Sequence, residues 1–185
     1  MIVAYRQYGC VQAMASAQKK VVLRTFDGEL AWGYLPHGGF LRGDEIDYMA
    51  VDGRLSSLKI NDIKTICYVR DFNVDDRVDP ERIGKRSFPS RPRGDGLWLR
   101  LTFRDGEALE GLSNFDIGFA DSLMEDRGIF MTPPEARANT LKVFVPRAAL
   151  RSMEVLGVVM APSRRIASRS ATGERADAQT KLFGE

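Results

Sequence analysis

Histidine occurs once in the chain, at His37, flanked by Pro36 and by Gly38-Gly39. Serine- or cysteine-type acyl transfer needs such an imidazole beside a nucleophile and an orienting carboxylate, and no set of that kind surrounds it. The two cysteines, Cys10 and Cys67, are too few for a disulfide framework or a four-ligand metal site. Cys67 lies within Ile66-Cys67-Tyr68-Val69 and reads as a small buried hydrophobe rather than a reactive thiol. Asp44, Glu45 and Asp47 form one acidic group, and Asp71, Asp75, Asp76 and Asp79 another. Either could attract a cation, but neither has the glycine-punctuated spacing of a calcium loop. Gly38-Gly39 is followed by neither Lys-Ser/Thr nor a helical pattern, so it is not a phosphate loop. These residues predict a protein that is not an enzyme and carries no cofactor and no metal.

The remaining chemistry is charge. Formal net charge is only +2, yet Arg82, Lys85, Arg86, Arg91 and Arg93 fall within twelve residues that hold no acidic side chain. In a segment this rich in proline, serine and glycine, such a block reads as a solvated linker, or else as an anion or nucleic-acid contact. Phe88, Trp98 and Tyr68 would supply stacking for the second reading. Arg82-Ile83-Gly84-Lys85-Arg86 also resembles the Arg-x-x-x-Arg that opens cyclic-di-GMP-binding PilZ domains. The Asp/Asn-x-Ser-x-x-Gly strand of that family has no counterpart: between Leu112 and Ser122, Ser113, Asn114 and Gly118 occur in another order and spacing.

The elements that must position these residues are strands. Hydrophobic residues at 44% and charged residues at 28% are ordinary for a folded globular chain, and no apolar run approaches the roughly 18 residues of a membrane span. Val21 to Gly33 aligns without a gap on Leu99 to Gly111, with Leu23/Leu101, Asp27/Asp105, Gly28/Gly106, Glu29/Glu107 and Gly33/Gly111 identical. Asp-Gly between apolar runs predicts a two-residue type I′ hairpin in each copy. That register sets Val21 opposite Tyr34, Leu23 opposite Trp32 and Thr25 opposite Leu30. In the second copy it sets Leu101 against Glu110, a mismatch that calls for a bulge or a sheet edge. The repeated glycine predicts a bend or a close approach of backbones. Further strands follow at Asp44 to Val51, Leu55 to Ile60 and Ile63 to Val69, and at Gly128 to Thr132, Leu141 to Val145 and Leu150 to Leu156. A sharp break precedes the last strand of each set, as in a small, strongly bent barrel.

This predicts an all-β chain of two tandem, small, five-stranded Sm-like or SH3-like barrels derived by internal duplication. The first spans 19–72 and the second 95–158, with an arm at 1–18, a basic Pro/Ser linker at 73–94 and a disordered tail at 159–185. Met14-Ala15-Ser16-Ala17 reads as an alternative start. Phe103-Arg104-Asp105-Gly106-Glu107, Gly111 and Phe115-Asp116 resemble the first motif of Sm-like barrels, of which bacterial Hfq is one branch. Asn61-Asp62-Ile63-Lys64-Thr65-Ile66 resembles their break and last strand. The Lys-His of the Hfq RNA site is replaced by Asn61-Asp62 or Pro146-Arg147. A closer resemblance is to an uncharacterised bacterial family of tandem small β domains. It is carried by Leu58 to Phe72, Phe103 to Glu107, Gly128 to Pro133 and Val143 to Pro146, and implies the fold but no activity. The expected role is a cytoplasmic, non-enzymatic binding module with a protein partner and no membrane contact. RNA or single-stranded nucleic acid is the alternative ligand, cyclic-di-GMP a remote one, and exposed strand edges offer a route to homo-oligomers.

Overall fold

The computed structural model describes residues 18–35, 40–72, 85–114, 128–135 and 139–160. His37, Cys10, Arg82, Phe115-Asp116, Asp75, Asp76, Asp79, nearly all of the N-terminal arm and most of the C-terminal tail lie outside them. The described chain is mainly β, as expected. Its strands are β1 (Lys19–Thr25), β2 (Leu30–Leu35), β3 (Leu41–Arg42), β4 (Glu45–Ala50), β5 (Leu55–Lys59), β6 (Ile63–Val69), β7 (Gly96–Phe103), β8 (Ala108–Ser113), β9 (Gly128–Met131), β10 (Thr140–Pro146) and β11 (Leu150–Val159). A single 3-10 turn, Arg147–Ala149, makes the break before β11.

Both Asp-Gly hairpins form, with a turn one residue longer than expected. Gly28 N–H donates to the Thr25 carbonyl at 3.2 Å and Thr25 N–H to the Glu29 carbonyl at 3.0 Å, so Phe26-Asp27-Gly28 is a three-residue loop. Gly106 to Phe103 at 3.0 Å and Phe103 to Glu107 at 2.8 Å repeat it. Gly28 at φ +83° and Gly106 at +88° take the left-handed position that closes a turn of this kind. Thr25 anchors the first copy further, its Oγ1 accepting the Glu29 N–H at 3.1 Å. The longer loop slips the register by one, and a slip of one changes which residues share a face. Val21 therefore faces Gly33, Val22 faces Trp32 and Leu23 faces Ala31, in place of the Val21/Tyr34 and Leu23/Trp32 pairs. In the second hairpin Leu101 faces Leu109, and Glu110 faces Arg100. The expected mismatch vanishes without a bulge.

The strands make two antiparallel sheets. The larger runs β3-β4-β2-β1-β6-β10-β9 with β5 on β4, and the smaller runs β11-β7-β8. One bridge, Leu112 to Thr132, connects β8 to the residue after β9. Among the described residues no pairing closes either sheet, so the two closed barrels expected from the sequence are not seen. The first-half strands continue into the second half through β6 and β10 instead, with Cys67 opposite Val143 and Ile66 opposite Phe144. These seam strands are covered on both faces. Ile66 and Phe144 enter a cluster with Val21, Leu23, Leu35 and Ile46. Cys67, Val143 and Val145 enter another with Val22, Leu99, Leu101 and Phe103. Cys67 is 2% exposed, buried as expected.

The recurring glycine marks a close approach. A Cβ on Gly33 would lie 2.5 Å from the Met49 carbonyl oxygen, and one on Gly111 2.5 Å from Met131 Sδ. In each hairpin a neighbouring strand packs directly over that position.

Candidate functional site

Lys64 projects from β6 beneath the second Asp-Gly turn and is 2% exposed. Its ammonium is held by Asp105 and Glu107 of that turn and lies 5.0 Å from the centre of the Phe103 ring. Arg86 reaches Glu107 from the other side at 2.6 Å. Hydrogen bonds from Lys64 and then Arg86 pull the Glu107 carboxyl down to about 2. Burial pushes Asp105 up, but Lys64 outweighs it and leaves the carboxyl below its ordinary value. Arg104 N–H groups reach the Asn61 carbonyl at 2.7 Å, and its guanidinium stacks 4.2 Å over the Phe26 ring. The sequence does not single this cluster out; its one signal is a lysine inside the apolar run Ile63-Lys64-Thr65-Ile66.

A second cluster surrounds Glu110, which is 5% exposed. Its carboxylate accepts from Arg100 at 2.9 Å, Trp98 Nε1 at 3.1 Å and the Phe88 N–H at 3.1 Å. Burial raises Glu110, yet Arg100 and those donors overcome it and hold the carboxyl below its ordinary range. Carboxylates kept ionised by contacting donors are cohesive, the reverse of a general acid poised near neutrality.

The basic segment was expected to supply Arg82, Lys85, Arg86, Arg91 and Arg93. Arg82 lies outside the described residues. Lys85 is exposed, with its N–H 3.4 Å from Glu135. Arg86 is committed to Glu107, and its carbonyl accepts the Glu110 N–H at 2.7 Å. Arg91 donates to the Val158 carbonyl at 2.8 Å, while Arg93 is exposed after a buried Pro92. The segment from Lys85 to Gly94 thus lies against β8 and β11. The expected stacking aromatics are also engaged: Phe88 meets Trp98 edge-on at 6.1 Å, and Tyr68 meets Phe130 at 5.9 Å.

Two surface features remain. One is a groove of about 590 Å³ over β1, β6 and β10, lined by Lys19, Lys20, Phe40, Tyr68, Phe130 and Lys142 among others. Lys20 is paired with Asp71 at 3.1 Å, and burial pushes the Tyr68 hydroxyl up to about 12. Cations over an aromatic floor suit an anion with a flat apolar part. The other feature is the open edge of two of the longer strands, β5 and β11, apart from the two-residue β3. Among the described residues β5 has only β4 as a neighbour, and β11 only β7. Leu55 on β5 is 67% exposed and Val155 on β11 is 57% exposed, with Val51, Val158 and Met160 close by. Among the described residues no helix is long and apolar enough to cross a membrane, and no group of three or more His, Cys, Asp or Glu side chains could hold a metal ion.

These features define a mainly β protein of two antiparallel sheets, braced by buried ion clusters and ending in unpaired strands. Residues 17–157 match the model of a family of unknown function, DUF6982, and the chain belongs to that family. No curated protein and no solved structure matches it.

Proposed function

We propose that the chain is a non-enzymatic binding and assembly module whose partner is a protein taken up along an exposed strand edge. The observation that carries this reading is where the apolar surface lies. Of the seven exposed large hydrophobics among the described residues, Val51, Leu55, Val155, Val158 and Met160 lie on or beside β5 and β11. A strand edge offers unpaired N–H and C=O groups, and apolar side chains beside it add affinity to strand addition. The neighbour orders β5-β4-β2-β1-β6 and β10-β9-β8-β7-β11, the second completed by the Leu112 bridge, support reading the halves as duplicated Sm-like units. A cytoplasmic setting suits Cys67 buried as a thiol. Site-specific photo-crosslinking tests the reading: a crosslinker at position 55 or 155 should capture protein, and one at Asp27, exposed in the β1–β2 turn and on no strand edge, should not. Adducts that consist of nucleic acid, or equal capture at all three positions, would sink it.

A second reading, an RNA or single-stranded nucleic-acid ligand, is favoured by the groove, where Lys19 and Lys142 stand beside Tyr68 and Phe130. Nucleic acid retained by the purified protein would show as an elevated 260/280 absorbance ratio. On this reading Lys19→Gln with Lys142→Gln flattens the log-log salt dependence of binding by roughly one to two units, since each phosphate contact releases counterions. Arg91→Gln with Arg93→Gln tests the basic segment in the same titration. The cyclic-di-GMP reading loses ground because Arg86, the closing arginine of its half-motif, is engaged by Glu107.

A further inference from the structure

The pairings of the two halves correspond residue for residue. Val21 opposite Gly33 matches Leu99 opposite Gly111. Tyr34 opposite Met49 matches Leu112 opposite Thr132. Ile46 opposite Leu58 matches Ile129 opposite Val145. Leu23 opposite Ile66 matches Leu101 opposite Met153. One irregularity agrees as well, since the last strand of each half slips register beside Thr25 and beside Phe103; β11 slips a second time, between Val155 and Gly157, beyond the stretch that matches β6. By these correspondences β10 is the counterpart of β5, and β11 the counterpart of β6.

Among the described residues, the counterparts meet only once. β6 of the first half pairs antiparallel with β10 of the second, Tyr68 facing Lys142, Cys67 facing Val143 and Ile66 facing Phe144. Among the described residues the other member of each type, β11 and β5, has a neighbour on one side alone, β7 and β4 respectively. Every copy therefore carries, at its two ends, the two halves of a joint that it already makes once internally.

We propose that β11 of one copy pairs antiparallel with β5 of the next in the register of that internal joint. Val155 then faces Leu55, Glu154 faces Ser56 and Met153 faces Ser57. That register follows from the β6–β10 pairing alone, yet it brings together Leu55 and Val155, the two most exposed large hydrophobics among the described residues at 67% and 57%. The backbone of β5 is prepared for it. Ala50 N–H bonds to the Arg54 carbonyl at 2.8 Å and Ile60 N–H to the Asp44 carbonyl at 2.8 Å. With alternation along an antiparallel ladder, Leu55, Ser57 and Lys59 aim their N–H and C=O groups away from β4. Because the two edges differ, the contact is head-to-tail, and it closes into a ring or runs on as a filament according to the rotation per copy. Val143 and Phe144 make the internal joint apolar, whereas β5 presents Ser56 and Ser57, so the joint between copies is weaker and depends on concentration. This inference rests on the strand-edge reading above and names its partner as a second copy of this chain.

Size-exclusion chromatography with light scattering over a wide range of concentration tests it on the full chain. The wild type should rise from the 20.7 kDa of one chain towards multiples of it. Leu55→Lys or Val155→Lys buries an ammonium against an apolar partner and should weaken association about tenfold or more. Both sites are exposed, so circular dichroism should stay unchanged. Leu55→Lys combined with Val155→Glu should restore association, because the two meet as opposite charges across the joint. Ser57→Pro removes an outward donor without touching the β4 ladder and should also dissociate the copies. A wild type of single-chain mass at every concentration overturns the proposal, as does an assembly indifferent to Leu55 and Val155. In either case capture of another protein at position 55 or 155 would leave the strand-edge reading standing, and capture of nucleic acid would end both.

Discussion

Lys64 is 2% exposed, while the side chains of its partners Asp105 and Glu107 are 35% and 40% exposed. The two sides of this cluster should therefore respond unequally to mutation. Lys64→Met removes the buried charge and leaves two carboxylates that water can reach. Asp105→Asn with Glu107→Gln strands an ammonium in the core and should be the costlier change, about 3 to 5 kcal/mol in urea unfolding. Equal losses would show that the cation is better hydrated than its burial implies. Acid should loosen the same cluster. Glu107 is held at about 2 against an ordinary 4.5, so the folded chain binds its proton less readily than the unfolded chain. Its contribution is complete above 4.5 and is lost as pH falls from about 4.5 towards about 2. Asp105 and Glu110, also depressed, act in the same direction. Screening at a side chain this exposed holds the Glu107 share to on the order of 1 kcal/mol. Urea midpoints of wild type and Glu107→Gln, compared at neutral pH and near the acid end, should converge as pH falls.

At the scale of elements, the two hairpins are set by their turns and by the strand packed over each recurring glycine. Gly33→Ala must displace a backbone carbonyl of β4, so it should destabilise by roughly 1 to 3 kcal/mol. Gly111→Ala meets the flexible end of Met131 first and should cost less. Gly157→Ala, with nothing within 4 Å of its Cβ, should be nearly neutral and serves as the control. Chemical denaturation of the three variants orders them, and a neutral Gly33→Ala would mean that β4 does not press on β2 as described. The type I′ hairpin expected from Asp-Gly was wrong by one residue for a local reason. Thr25 and Phe103 close the loop by accepting the glycine N–H, which adds Phe26 or Arg104 to the turn. That choice rests on hydrogen bonds that residue pattern does not encode.

Across the whole molecule, the halves share a core. Val22, Cys67 and Phe72 from the first pack with Leu99, Phe103 and Val145 from the second, and Trp32 lies against the same cluster. Trp98 is engaged elsewhere, with Phe88 and Glu110. Units of about 55 residues bury little core by themselves, and here each would expose a seam strand buried on both faces. The intact chain should therefore melt in a single transition with coincident fluorescence and circular dichroism. Fragments 19–72 and 95–158, expressed separately, should be unfolded or aggregated. Two well-folded fragments with independent melting would refute a shared core.

What the sequence determined by itself was local: strand-rich halves, both Asp-Gly turns, the burial of Cys67 and the crowding at Gly33 and Gly111. Alternation, turn chemistry and glycine spacing act over a few residues, so they can be read without the fold. Tertiary structure alone decided the rest. It brought the Phe88 N–H onto the Glu110 carboxylate and laid the basic segment against β8 and β11. It also joined β6 to β10 where closed barrels were expected. Each of these depends on which distant backbone groups satisfy one another's hydrogen bonds, and a strand's own residues do not specify its neighbour.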